Sequence, residues 1–379
     1  MVSKRIEVSV IIPTKNEEKT ISEVIKKVKN IFKKNNIRGE IIVSDSSTDN
    51  TPKLAEKLDA KVITPKRIGY GAAYMEGFKE AKGDYIFMAD ADGTYDVSQL
   101  PKFIEPLKEG RAEMVMGSRF KGKILKGAMP ALHQYIGNPF LTAVLNLFFG
   151  TKISDAHCGM RSIKKTALDK LTLSATGMDF ASEMIIKAAR EKLKIFEIPI
   201  IYYPRKDDNS TLNSYSDGWK HLRLLLLYSP LYLFLVPGSF LFIVGSILLT
   251  CILPGPLVIG SFVLDYHWMI LGALFTIIGF QIITMGVWAK TYAYFNKIEK
   301  ETKTLSVFLN KLNLERGIVI GSLIGLLGFA INLSIVYNYL YSDFVISYRP
   351  ALFALVLIFL GIQIIFSSFF VSIIRVYKN

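Results

Sequence analysis

Asp90 and Asp92 stand one residue apart in the run Ala-Asp-Ala-Asp-Gly at 89–93, directly after the apolar stretch 84–88. Two carboxylates at the broken end of a buried strand can both reach one ligand, and without a counter-ion they repel. A hard divalent cation, Mg²⁺ or Mn²⁺, resolves that repulsion, because such ions take oxygen ligands and are commonly shared between carboxylates and phosphates. A metal held there would neutralise a departing diphosphate. An isolated D-x-D is more often a solvated turn with Asp chosen for turn geometry. Here the pair follows a buried-strand pattern and falls in register with two other polar strand ends, which favours the metal.

The elements that must position this pair are short strands alternating with helices. Apolar, β-branched runs at 8–12, 40–44, 61–64 and 84–88 read as strands, with helical patterns at 20–32, from Pro52, and at 69–81. That alternation predicts a parallel sheet whose ligands bind at the carboxyl ends of the strands. Polar turns follow the first two strands. The third connection, Arg67-Ile-Gly-Tyr-Gly, puts two glycines at a helix start, where backbone can approach a diphosphate closely or simply pack tightly. No G-x-G-x-x-G follows the first strand, which counts against a dinucleotide-binding oxidoreductase.

Composition divides the 379 residues in two. Hydrophobic residues make up 51% of the chain and charged residues 21%, with the charged, mixed pattern confined to about 1–225. Four apolar stretches, 230–253, 268–288, 317–341 and 351–374, are each long enough for a bilayer, which needs roughly 20 residues. Lys290, Lys297, Lys300, Lys303, Lys311 and Arg316 lie between the second and third stretches. The other two loops carry only Asp265, and Asp343 with Arg349. The positive-inside rule then places the first domain and both termini in the cytosol. The spans contain no charge, so the second domain, 226–379, reads as an anchor rather than a transporter. Trp219, Leu222, Leu225 and Leu226 share a face that suits either a helix lying on the cytosolic leaflet or an ordinary domain helix. A net charge of +14 without a compact basic stripe favours anionic headgroups and phosphorylated substrates over nucleic acid. Cys158 and Cys251 lie in different domains, so neither a disulfide framework nor a zinc site is supported.

Taken with Ile-Pro-Thr-Lys-Asn-Glu at 12–17, Asp45 with Ser47 and Asp49, the glycine turn, Gly-Ser-Arg at 117–119 and Asp-Ala-His-Cys-Gly-Met-Arg at 155–161, these motifs resemble glycosyltransferase family 2, specifically its polyprenyl-phosphate sugar synthases. The resemblance covers about 5–225. It implies an α/β, nucleotide-sugar Rossmann-like domain of the A type, followed here by the four-helix membrane domain. By position, Pro13, Glu17 and Asp45 should line the nucleoside pocket, with Arg67 and Asp90 also on the donor nucleotide. Asp90 and Asp92 should hold the metal, and Asp92 and Arg119 should serve catalysis. Arg119, Asn138 and Arg205 should meet the acceptor phosphate. Departures from the family pattern are Lys15 in place of an aromatic residue, Gln134 in place of Arg, and Ser-Thr-Leu at 210–212 in place of Ser-Lys-Leu. Asp155 and Arg161 read as a structural pair or as substrate contacts. His157 and Cys158 read as shaping the acceptor loop, since no separate base would activate the thiol.

The implied reaction moves a hexose from UDP-glucose or GDP-mannose onto dolichyl or another polyprenyl phosphate with inversion. The partners are then a nucleotide-sugar donor, the lipid phosphate and the bilayer. A lipid phosphate is already ionised at neutral pH and needs little help from a general base, consistent with only four histidines. The alternatives are UDP-N-acetylglucosamine as donor and a non-catalytic, membrane-bound sugar-nucleotide sensor. A processive polysaccharide synthase would carry Q-x-x-R-W, which this chain lacks.

Overall fold

The computed structural model describes residues 5–205, 214–229, 231–295, 313–341 and 348–376. The loop lysines 297, 300, 303 and 311, Asp343, and the Ser-Thr-Leu at 210–212 lie outside the described residues. The chain forms two compact units, 1–225 and 226–379.

The first unit is built on a seven-stranded sheet: β1 (Val8–Thr14), β2 (Gly39–Asp45), β3 (Lys61–Ile63), β4 (Tyr85–Met88), β5 (Met114–Ile124), β6 (Arg161–Lys164) and β7 (Ile195–Tyr202), in the order β3-β2-β1-β4-β6-β5-β7. The strands are parallel except β6, which runs antiparallel to both β4 and β5. The sheet is therefore mixed rather than purely parallel as the alternation suggested. The seven residues of β1 expose almost nothing, because helices cover both of its faces. Val8, Val10 and Ile12 join the core formed with α1 (Ile21–Lys34) and α4 (Leu100–Lys108). Ile11 points the other way, toward α3 (Tyr70–Glu80), where a Cβ at Gly77 would lie 2.5 Å from its Cγ2. Beyond α3, Phe180 at the start of α7 (Phe180–Arg190) stacks on Tyr74 with centroids 5.6 Å apart.

Register decides where the functional loops emerge. Thr14 pairs with Asp45, so β1 and β2 end together, and Ile11 pairs with Met88, so the chain after β4 leaves beside them. Chain direction diverges between β1 and β4, which opens a crevice at the carboxyl edge. The loop after β4 is carried across to the end of β7 by a bridge between Tyr95 and Tyr202 and by Tyr203 N donating to Thr94 O at 3.0 Å. The remaining helices of this unit are α2 (Thr51–Glu56), α5 (Asn138–Phe149), α6 (Lys165–Leu168) and α8 (Ser214–Tyr228), the last running on into the second unit.

The second unit contains α9 (Val236–Ile252), a hairpin of β8 (Leu257–Ile259) and β9 (Phe262–Leu264), α10 (Tyr266–Phe295), α11 (Leu314–Tyr341) and α12 (Tyr348–Val376). Among the described residues, four segments are long and apolar enough to span a bilayer: Tyr232–Ile252, Tyr266–Tyr294, Leu314–Tyr341 and Tyr348–Arg375. Small residues let these helices approach. A Cβ at Gly245 of α9 would lie 2.4 Å from Thr276 N of α10, and one at Gly321 of α11 would lie 2.6 Å from Gly361 O of α12. Asp265, just before α10, and Arg349, in the first turn of α12, pair at 2.5 Å, with the guanidinium over the Tyr266 ring.

Candidate active site

The loops after β1 and β2 are laced into one wall. Thr14 Oγ1 and Ser47 Oγ both donate to Asp45 Oδ1 at 2.6 Å, and Ser47 N donates to Oδ2. Asn16, held at a φ of 60°, donates its N–H to Ser47 Oγ and accepts from Thr48 N. Glu17 N donates to Thr51 Oγ1 at 2.9 Å. Asp45 is thus buried and already occupied on both oxygens. The polar motifs at 12–17 and 45–51 shape a rigid wall, with Pro13 half-buried at its base and Lys15 exposed on it.

The D-x-D faces this wall. Asp90 Oδ1 accepts from Tyr70 Oη at 3.0 Å and Tyr74 Oη at 3.2 Å. Behind its other oxygen stands Gly159, where a Cβ would lie 2.5 Å from Oδ2. Asp92 Oδ1 accepts from both Thr94 N and Thr94 Oγ1, which turns the chain sharply after β4. Burial and the charge of Asp92 push the Asp90 carboxyl up to about 7, against the pull of the two tyrosine hydroxyls. Two carboxylates close enough to disturb each other are a donor set suited to a hard cation. Among the described residues no three His, Cys, Asp or Glu side chains are arranged so that they could hold one metal ion. The protein would thus offer at most these two carboxylates, leaving the remaining positions to phosphate oxygens and water, as Mg²⁺ and Mn²⁺ prefer.

Arg205 closes the crevice from the β7 side. Its Nη2 donates to Glu17 Oε1 at 2.5 Å, and its Nε lies 3.9 Å from Asp92 Oδ2, buried and without a hydrogen-bond partner. Burial raises the Glu17 pKa; Arg205 opposes that shift and Asp92 reinforces it. Glu17, Asp92, Asp90 and Arg205 therefore meet at one place, three expected for the donor or metal and one for the acceptor.

The other expected residues are placed differently. Arg119 engages Asp155 with two of its nitrogens. Nε and Nη2 make parallel bonds to Asp155 at 2.7 and 2.8 Å, and the Arg119 backbone N–H adds a third at 3.0 Å. The Arg119 side chain is 7% exposed and lies over the Tyr202 ring; Nε and Nη2 are engaged in this buried ion pair, and the guanidinium charge draws the Asp90 carboxyl downward. Asp155 consequently does not pair with Arg161. Arg161 instead donates to the carbonyl oxygens of Cys158, Ala181 and Ala156, fixing the loop that carries Gly159. Asn138 begins α5 and donates to Met129 Sδ at 3.4 Å; no bond links it to the crevice residues. Arg67 is exposed at the head of the glycine turn. The two glycines of that turn approach protein rather than open space: a Cβ at Gly69 would meet Thr176 O at 2.3 Å and one at Gly71 Ala175 O at 2.2 Å. Cys158 is buried and its thiol is pushed up to about 12 by that burial and by Asp155, which removes it as a nucleophile.

Tyr70 and Tyr74 are the site residues that the sequence did not single out. Their helical spacing toward one face of α3 was visible, but nothing local to them indicates that β4 delivers Asp90 to that face.

Residues 9–172 match the model of glycosyl transferase family 2, and residues 287–375 match the family 2 C-terminal transmembrane region. The low-salt glycan biosynthesis hexosyltransferase Agl6 of Haloferax volcanii is 40% identical over 95% of this chain and 87% of its own length. The chain belongs to glycosyltransferase family 2. Two further relatives match about half of the chain. A dolichyl-phosphate hexose transferase of Haloferax volcanii is 30% identical over 56% of this chain and 89% of its own. A UDP-N-acetylglucosamine–dolichyl-phosphate N-acetylglucosaminyltransferase of Methanococcus voltae is 34% identical over 50% and 83%. In this glycosyltransferase, four apolar helices accompany the sheet domain, making it a membrane protein.

Proposed function

We propose that this glycosyltransferase moves a hexose from a nucleotide-sugar, UDP-glucose or GDP-mannose, to the phosphate of a dolichyl or related polyprenyl lipid. The observation that carries the reading is the convergence of Asp90 and Asp92 with Glu17 and Arg205 at the carboxyl edge of the sheet. Support for the acceptor comes from relatives named for dolichyl phosphate and from the membrane unit.

In this reading an oxygen of the lipid phosphate attacks the anomeric carbon. The bond from that carbon to the nucleoside diphosphate breaks, and the diphosphate departs with the electron pair, inverting the configuration. The phosphate is ionised beforehand, so no side chain has to remove a proton from it. A Mg²⁺ or Mn²⁺ ion held by Asp90 and Asp92 would supply neutralising charge to the departing diphosphate. Arg205 adds a fixed positive charge beside the same place, and in a partly buried site such charge acts strongly on a developing anion. Pro13, Glu17, Asp45 and Arg67 serve the nucleoside side. Asn138 serves the acceptor side, and Arg119 serves it indirectly by holding Asp155. The lysine-rich sequence between the second and third spans supports a cytosolic position for this unit and both termini.

The test is transfer by detergent-purified protein to dolichyl phosphate, with labelled UDP-glucose, GDP-mannose and UDP-N-acetylglucosamine supplied separately with Mg²⁺ or Mn²⁺. The expected result is metal-dependent label in an organic-extractable product from a hexose donor, lost in Asp92→Asn. The Methanococcus voltae relative makes UDP-N-acetylglucosamine the second candidate donor, and exclusive use of it would replace the hexose reading. Folded protein that binds a donor yet transfers from none would overturn the transferase assignment.

A further inference from the structure

His157 holds a buried nitrogen that the protein does not satisfy. Its Nδ1 is shielded from water and, among the described residues, has no hydrogen-bond partner. Leaving such a group unpaired costs its desolvation, and a ligand oxygen would remove that cost. The rest of the residue is firmly held. Its backbone N donates to Asp155 Oδ1 at 3.3 Å, and the preceding N–H, of Ala156, donates to Thr142 Oγ1 at 3.3 Å. The ring meets that of His221 in α8 edge to face, with centroids 4.5 Å apart. His157 as a whole is half-buried, so it stands near the surface.

A relay through Ser182 of α7 bears on which ring nitrogen carries the proton. Ser182 Oγ lies 2.8 Å from His221 Nδ1 and 3.5 Å from His157 Nε2. One hydroxyl can accept from one ring and donate to the other. When it accepts from His221 and donates to His157 Nε2, the single proton of a neutral His157 sits on Nδ1, away from the relay. An anion at Nδ1 selects that arrangement. Burial, followed by the charges of His221, Arg119, Arg161 and His133, holds the His157 pKa well below the usual histidine range, so the ring meets a ligand as a neutral donor.

Those neighbours also make the surroundings basic, with two further histidines and two arginines acting on one ring. Asp155, the acid beside them, is already paired with Arg119. An unused N–H among basic groups suits a phosphate oxygen. Among the described residues, no hydrogen bond or ion pair joins His157 or Ser182 to Glu17, Asp92 or Arg205, the groups proposed for the donor side. Two residues beyond His157, however, Gly159 abuts Asp90. The cluster is thus next to the D-x-D without being part of it, a fitting place for a second phosphate.

We infer that His157 donates from Nδ1 to an oxygen of the acceptor's phosphate, with Ser182 and His221 as positioning residues that fix the tautomer for it. The inference rests on the lipid-phosphate reading for the ligand's identity, while the chemistry it needs is a phosphomonoester anion.

The full chain in detergent is titrated calorimetrically with farnesyl phosphate, with farnesol as the phosphate-free control, and separately with UDP and Mn²⁺. His157→Phe is expected to weaken farnesyl phosphate about tenfold, the usual effect of losing one hydrogen bond to a charged group, and to leave UDP unchanged. His157→Asn, whose amide nitrogen reaches the place of Nδ1, should recover most of that loss. His157→Gln, whose amide reaches toward Nε2 instead, should not, and Ser182→Ala should lie between. Unchanged farnesyl phosphate binding in His157→Phe would overturn the inference, as would wild-type binding no stronger than that of farnesol. Weakened UDP binding with farnesyl phosphate unaffected would move His157 to the donor side and overturn it as well. Equal loss of both ligands in the Phe and Asn variants would reduce His157 to a loop scaffold. Wild-type protein that binds farnesyl phosphate through His157 yet transfers no sugar to dolichyl phosphate would sink the transferase reading and leave this site standing.

Discussion

Arg205, just beyond β7, donates through Nη2 to Glu17 Oε1, just beyond β1, at 2.5 Å. The bond spans the crevice and leaves Nε buried beside Asp92 without a hydrogen-bond partner. A guanidinium with an unsatisfied donor at the mouth of the proposed diphosphate site is well matched to a phosphate oxygen. Arg205→Ala is expected to lower kcat by about 10²-fold, the usual effect of removing one preorganised donor to a developing anion. Arg205→Lys should recover part of that loss by charge alone. Steady-state transfer with the donor varied checks this, and an unchanged kcat in Arg205→Ala would remove Arg205 from the reaction.

Arg119 and Asp155 make a contrasting pair. With Asp155 completely buried and Arg119 nearly so, each is the other's main compensation. Breaking such a pair from one side typically costs about 3–5 kcal/mol, because a charge is left buried alone. Asp155→Ala and Arg119→Ala should therefore lower the thermal midpoint in detergent by similar amounts. The combined Asp155→Leu/Arg119→Met variant should fall by less than the sum of the singles. If Arg119→Ala left the midpoint unchanged and impaired acceptor use alone, the phosphate-facing role would be restored.

The two tyrosine hydroxyls on Asp90 set a pH dependence. Burial and Asp92 raise the carboxyl to about 7, and Tyr70 and Tyr74 oppose that rise. Removing the hydroxyls in Tyr70→Phe/Tyr74→Phe moves the carboxyl further up, so less of it is ionised at pH 7. A metal needs the ionised form, and the proton competes with it. The half-saturating Mn²⁺ concentration for transfer should therefore rise in the double variant at pH 6.5, with the gap narrowing by pH 8.5. A gap that stayed constant across that range would assign the tyrosines a packing role alone.

The first half of the sheet was legible because β1, β2 and β4 are short apolar runs ending in turn residues, and their observed limits fall within two residues of the expected ones. The four spans were legible for the same reason, since length and apolarity are local properties. β6 was not, because its four residues Arg161–Lys164 carry two charges and acquire strand form only by inserting antiparallel between β4 and β5. The site shows the same division. Asp90 and Asp92 announce themselves by spacing, whereas the Arg119 partner lies 36 residues away and could not be chosen between Arg119 and Arg161 before the loop was folded. The polar residues after β1 and β2 were read as pocket lining; much of their hydrogen bonding goes to one another.

Close helix contact in the membrane unit gives a last prediction. A Cβ at Gly245 would stand 2.4 Å from Thr276 N and 2.6 Å from Gly272 O, both backbone atoms that cannot rotate aside. At Gly325 the nearest atom, Gly361 Cα, is 3.9 Å away, an ordinary contact. Lipid tails are as apolar as the helices, so packing at such points carries much of the association. Gly245→Ala should force α9 and α10 apart, at a cost of about 1–3 kcal/mol expected for overpacking. Gly325→Ala should be nearly neutral. Thermal unfolding of both variants in the same detergent distinguishes them, and equal midpoints would show that α9 and α10 do not depend on the Gly245 approach.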